Sequence, residues 1–184
     1  MQNGNKYYLE GESIYLREVR QEDVNESYYR WLNDPEVNQF LETRYSPRST
    51  ENIAAFVKSM DSNFDELFLA ICVKEKNRHI GNIKLGPINW IHRFADISLV
   101  IGDKEYWRKG IGTEAIGLIT MYAFNSINLN KVRAGCYEEN IGSIKAFENN
   151  SFQREGLLKK QWYSKGRYTN EILLGLLQYQ LKEK

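Results

Sequence analysis

Two glycines, Gly110 and Gly112, stand between a run that reads as a strand and a run that reads as a helix. The preceding residues 95–101 are apolar apart from Asp96 and Ser98. In the following run, Ile111, Ala115, Leu118, Ile119 and Tyr122 recur at the 3.6-residue period of an amphipathic helix. A strand followed by an amphipathic helix is one unit of a mixed α/β fold, in which the helix buries its apolar stripe against the sheet. The turn also has a chemical consequence. Glycine lets the backbone pass close to a ligand. The first N–H groups of a helix lack intrahelical partners, and the helix dipole adds partial positive charge. Arg108 and Lys109 add formal charge at the mouth. Alone, the pair reads first as a plain glycine turn feeding a helix and only second as an anion site suited to a pyrophosphate.

Two commoner phosphate motifs are excluded. A nucleoside-triphosphate loop ends in Gly-Lys-Ser/Thr, whereas Gly112 is followed by Thr113 and Glu114. Residues 110–115 match G-x-G-x-x-A formally, but they lie past residue 100 and too near the end for a βαβαβ array to be completed.

The remaining elements follow from period and punctuation. Residues 14–19 alternate as a strand. Asp23 offers a cap for a helix over 24–32, which Asn33-Asp34-Pro35 stops. Ser49 or Thr50 can cap a second helix with Ile53, Phe56, Val57 and Met60 on one face. Residues 67–73, 80–85 and 95–101 read as strands, and the glycine-led helix runs to about 124. A strand at 131–137, a helix from Asn140 to 148, and strands at 152–158 and 168–177 around a Lys165-Gly166 turn complete the order. The order predicts an α/β (α+β) fold: a mixed sheet of seven strands flanked by about four helices, in a single domain covering 1–184.

Composition narrows the partners. A chain of 184 residues suits one domain, and its 42% hydrophobic and 27% charged content is ordinary for a globular protein. A net charge of +1 gives no footprint for nucleic acid. No run approaches the ~20 apolar residues of a membrane helix, and residues 1–12 lack the apolar core of a signal peptide. No membrane partner is expected. Cys72 and Cys136 sit in apolar strand runs, which reads as buried thiols in a cytoplasmic protein rather than a disulfide.

A second constellation occupies residues 139–148, Glu-Asn-Ile-Gly-Ser-Ile-Lys-Ala-Phe-Glu, followed by Phe152. Asn140 can cap a helix, and an amide also serves an amide-containing ligand. Together with Tyr106-Trp107-Arg108-Lys109-Gly110-Ile111-Gly112-Thr113-Glu114-Ala115, it resembles the coenzyme A motifs of the GNAT acetyltransferase superfamily. More narrowly it resembles the branch holding ribosomal-protein-alanine and spermidine acetyltransferases, which often carries Trp at the place of Trp107. Leu16-Arg17, residues 31–35 and residues 88–96 match that branch as well, so the resemblance covers about 13–178.

The resemblance implies a GNAT fold with a mostly antiparallel sheet and a central splayed parallel pair, formed by 97–101 and 131–137. The pantetheine arm of acetyl-CoA would lie in the opening. Backbone groups of Leu99, Val100 and Ile101 would bond it as an added strand would. Main-chain amides of Arg108, Lys109, Gly110, Ile111, Gly112 and Thr113 would hold the pyrophosphate, and Asn140, Ser143 and Lys145 would face the arm. No metal is implied. Members are often dimers, so a homodimer is an open expectation.

The implied reaction is attack of an amine on the thioester. An ammonium of pKa about 10.4 must first lose its proton. Asp96 is the expected base and His92 the alternative. Many members place a Tyr seven residues after the Asn, as acid for the thiolate. Here that place holds Phe147, which leaves Tyr137, Tyr163, Ser143, water or an unaided departure. Asn150 is expected in a left-handed conformation where the branch reads Gly. The acceptor is expected between the first two helices and the last hairpin, against Trp31, Asn33, Asp34, Tyr45, Trp90, Trp162 and Tyr163. Such groups fit a sugar ring or a peptide end, whereas a polyamine requires carboxylates. Three functions follow: acetyl transfer to a small-molecule amine (amino sugar or polyamine), acetyl transfer to a protein amino terminus, or coenzyme A binding without turnover. Phe147 keeps the third open.

Overall fold

The computed structural model describes residues 7–181. Strand alternation divides its apolar residues between two cores. In β2 (Ile14–Glu18), Ile14 and Leu16 join one buried cluster and Tyr15 joins the other. β1 (Leu9–Glu10), β3 (Leu67–Val73), β4 (Arg78–Leu85), β5 (Phe94–Ile101), β6 (Lys131–Tyr137), β7 (Gln153–Ser164) and β8 (Arg167–Leu177) complete one sheet in the order β1-β2-β3-β4-β5-β6-β8-β7. The sequence predicts seven strands. The eighth is β1, whose two residues are too short to show an alternation.

Helix caps explain the other differences. α1 (Glu26–Asn33) is capped by Asn25, whose side chain accepts from the Ser27 and Tyr28 amides. Asp23 cannot cap it, because its carboxylate accepts from the Arg17 guanidinium at 2.6 and 2.7 Å and from the Arg20 N–H. Pro35 ends α1 and also opens α2 (Pro35–Asn38), at a first helical position where its missing N–H costs nothing. Ser49 caps α3 (Thr50–Met60). α4 (Ile111–Asn125) and α5 (Ile141–Glu148) pack on one face of the sheet, setting Ile116, Ile119 and Phe147 into a core with Ile97 and Val132. The other face carries the Tyr28, Trp31, Ile53 and Val57 cluster contributed by α1 and α3.

β5 and β6 are parallel neighbours for three rungs only: Phe94↔Lys131, Ala95↔Val132 and Asp96↔Arg133. Beyond them, β5 stays paired with β4 as far as Ile101, and β6 stays paired with β8 as far as Tyr137. Each strand follows its outer neighbour, so the sheet opens between them.

Glu114, in the first turn of α4, fastens that helix to the β1–β2 turn. Its carboxylate accepts from the Ser13 amide at 2.9 Å, from the Ser13 hydroxyl and from the Ile14 amide at 3.3 Å. Glu114→Ala leaves those donors without their acceptor and is expected to lower stability by about 1–3 kcal/mol, read from the midpoint of urea unfolding.

Among the described residues no helix is long and apolar enough to cross a membrane. Cys72 and Cys136 are both free and buried, and burial pushes both thiols above their ordinary pKa.

Candidate active site

The glycine turn is locked to the end of β5. Asp103 caps a single turn over Lys104–Tyr106, and the Trp107 indole N–H donates to the Ile101 carbonyl at 2.7 Å. That is a structural use for Trp107, and it takes the carbonyl of Ile101, a group expected to face the pantetheine arm. Arg108 (φ 60°) and Gly110 (φ 79°) then take left-handed backbone, a geometry that turns neighbouring N–H groups to one side as an anion nest. The Glu114 amide donates to the Gly110 carbonyl at 2.9 Å, so the amides of Ile111, Gly112 and Thr113 stand at the open end of α4. A Cβ on Gly110 would meet nothing within 4 Å. Gly112 lies beside Leu99, whose Cδ1 would be 3.5 Å from an added Cβ. Arg108 and Lys109 are exposed. Open space, free amides and two cations fit a diphosphate.

α5 forms the other wall of the opening. The Asn140 amide oxygen accepts from the Ser143 N–H at 3.2 Å, and the Ser143 hydroxyl is 3.4 Å from the Cys136 sulfur. Lys145 is exposed. Phe147 is 1% exposed and packs edge-on against Phe152. Ser151, not Asn150, takes the left-handed conformation, with φ 69°. The Asn150 side chain is occupied instead, donating to the Thr113 and Ala146 carbonyls at 2.9 Å and so tying α5 to the first turn of α4.

On the opposite face, a cavity of about 660 Å³ lies between β4–β5 and α1 and α3. Tyr28, Phe40, Glu42, Arg48, Phe56, Phe68, Asn82, Lys84 and Ser98 line it. A second opening of about 470 Å³ touches Asn33, Arg44, Tyr45 and Lys165. At the splay itself, the Tyr137 hydroxyl donates to Glu42 at 2.5 Å and accepts from Arg44 at 2.7 Å. Burial and the bond to Glu42 hold its phenol well above the ordinary pKa of 10, so it remains protonated. Trp162 stacks on its ring at 5.5 Å. Asp96 accepts from two nitrogens of Arg133, at 2.9 and 3.0 Å.

Two acidic residues that the sequence does not single out, Glu42 and Glu171, belong to this cluster. Glu171 faces Tyr137 in the β6–β8 register. Burial pushes its carboxyl above the ordinary carboxylate range, and the nearby Glu42 and Asp96 charges add to the rise. One signal for it exists in the sequence: Glu171 is the lone charge in residues 168–177.

The residues expected around the acceptor have these surroundings. Trp31 is 7% exposed, in the core beside Tyr28 and His79. The Asn33 side chain latches onto the backbone of Arg48 and Tyr29. Asp34 caps α2 and pairs with Lys104 at 2.8 Å. Trp90 donates to Asp65, and His92 is exposed in the turn before β5, at the end where β5 and β6 are still paired. The Tyr163 carbonyl accepts from the Tyr45 hydroxyl.

A buried chain of polar groups supports the cavity floor. His79 Nε2 lies 2.9 Å from Asn82 Oδ1, and its Nδ1 lies 3.7 Å from Asp23, which is held by Arg17. Burial pushes the imidazole below its ordinary 6.5, against the pull of Asp23. A depressed histidine contributes stability that is present above the unfolded pKa and lost as pH falls below it. Unfolding free energy is therefore expected to drop as pH falls below about 6.5, and His79→Gln should flatten that limb in urea titrations at stepped pH.

Comparisons with known proteins agree with this geometry. A family model described as an acetyltransferase (GNAT) domain matches residues 13–153. An uncharacterized N-acetyltransferase, p20, of Bacillus licheniformis is 30% identical over 168 residues, covering 90% of this chain and 93% of that protein. The spermidine N(1)-acetyltransferase of Escherichia coli K12 is 30% identical over 166 residues, covering 90% of this chain and 82% of that protein. In fold, the chain is similar to a spermidine N-acetyltransferase from Vibrio cholerae solved with CoA and spermine, at a TM-score of 0.83 and 23% identity, with 92% and 98% of the two chains covered.

Proposed function

This chain belongs to the GNAT acetyltransferase family, and from that membership we propose that it moves an acetyl group from acetyl-CoA to a primary amine of a small cationic molecule, a polyamine ahead of an amino sugar. The observation that carries the choice is the gathering of three carboxylates, Glu42, Asp96 and Glu171, against two guanidiniums, Arg44 and Arg133, beside Tyr137 and Trp162, which leaves an excess negative charge there. Carboxylates between aromatic walls attract an ammonium and shelter its methylene stem. Relatives named spermidine N(1)-acetyltransferase support the same choice.

In this reading the loop from Arg108 to Thr113 holds the diphosphate, and the splay between β5 and β6 receives the arm. The protein's own groups then orient the amine, remove its proton and keep water from the thioester. The test is release of free thiol from acetyl-CoA with spermidine, an aminohexose and a peptide bearing a free amino terminus. The polyamine is expected to give the highest kcat/KM, falling as salt screens the carboxylates. A peptide preferred over both small amines would establish the amino-terminal reading in its place.

A further inference from the structure

We propose that Glu171 is the general base of this transferase, accepting the proton of the incoming ammonium at the mouth of the splay. The inference rests on the amine-acetyltransferase reading above and names a catalytic residue for it.

The placement comes from the sheet. Asp96↔Arg133 is the last rung between β5 and β6. Gly135 is the next residue of β6 on the same face, so it borders the opening. Glu171 lies on β8 opposite Tyr137, and its side chain reaches back along β6 toward Gly135. A Cβ added to Gly135 would stand 2.0 Å from Glu171 Oε1 and 3.1 Å from Cδ. The missing side chain at 135 is thus the seat of the carboxylate. A glycine inside a strand marks such a close approach.

The surroundings separate this carboxylate from its neighbours. Asp96 is engaged by both Arg133 nitrogens. Glu42 is engaged by the Tyr137 hydroxyl and lies 3.3 Å from Arg44. Among the described residues no cation pairs with Glu171: Glu42 and Asp96 face it as like charges, and the Trp162 indole favours its anion. A base with proton affinity raised toward the working pH is the kind that catalysis selects.

The ammonium gives one proton to the Glu171 carboxylate. The freed nitrogen pair forms the C–N bond at the thioester carbonyl carbon, the C–S bond breaks with its pair on sulfur, and sulfur takes the second nitrogen proton. The products are the acetamide, the free thiol and protonated Glu171, which returns its proton to solvent.

The test compares Glu171→Gln, Gly135→Ala and Asp96→Asn with the wild type on the amine that gives most thiol release. Glu171→Gln is expected to lower kcat about 100-fold, the lower end for a lost general base, and to abolish the acid limb of the rate–pH profile. Gly135→Ala should displace the carboxylate and lower kcat similarly, with no further loss in the double variant. Coenzyme A affinity should hold. The melting temperature of Glu171→Gln should hold or rise, because a carboxyl with raised folded-state pKa contributes less stability as pH rises through that value. Three results overturn the assignment: an unchanged kcat and pH profile, a raised amine KM with kcat intact, or loss of the acid limb in Asp96→Asn instead. If the wild type turns over no amine, the acetyltransferase reading falls first and this assignment with it.

Discussion

Gly110→Asp is expected to weaken coenzyme A binding about 100-fold while the protein melts within a few degrees of the wild type. Gly110 has φ 79° and ψ −5° at the N-cap of α4. Asp is among the side chains that tolerate left-handed backbone, and a carboxylate at a helix N-terminus is favourable to both cap and dipole. The space ahead of Gly110 is open within 4 Å, so nothing in the protein resists the side chain. The diphosphate does resist it. Two unit charges about 4 Å apart repel by about 4 kcal/mol at an effective dielectric of 20. Solvent at this exposed loop reduces that toward about 2.7 kcal/mol, which is about 100-fold. Calorimetric titration with coenzyme A measures it. Unchanged affinity would place the diphosphate elsewhere.

Trp31→Ala has its largest effect on stability. The ring lies flat over Gly102, where an added Cβ would be 2.1 Å from it, and it packs against Tyr28 at 5.7 Å and edge-on to His79 at 5.1 Å. Truncating a buried Trp costs about 3–5 kcal/mol. At about 2–4 °C per kcal/mol for a chain of this size, the melting temperature falls by roughly 6–20 °C. The amine KM stays within about twofold wherever the variant remains folded. A large rise in KM with an unchanged melting temperature would return Trp31 to the acceptor pocket.

These two residues show what sequence can carry. The glycine loop over residues 106–113 is local. Its glycines, cations and helix start are consecutive, so one segment states both the conformation and the charge. The order of the longer elements was legible for the same reason, since each has its own period, whereas the two-residue β1 and the four-residue α2 are too short to show one. Caps were legible where the candidate side chain stayed with its own helix, as at Ser49. At Asp23 a partner six residues back, Arg17, took the carboxylate and Asn25 became the cap.

The cluster proposed to receive the amine is assembled by pairing across the sheet, which leaves no spacing to read. Glu42 comes from a turn, Asp96 from β5 and Glu171 from β8. Trp90 and His92 matched the family's pattern, yet their hairpin leads away from the opening, because β5 enters the sheet at its paired end. Only the unmatched charge of Glu171 and the strand glycine at 135 hinted at the site, and each hint needed the β6–β8 register to become a contact.

The most direct measurement counts products. With acetyl-CoA and spermidine, free thiol and acetylated amine should accumulate one for one, the amine gaining a single acetyl group by mass spectrometry. Tight coenzyme A binding with neither thiol nor acetylated amine, across every amine in the panel, would contradict the transferase account.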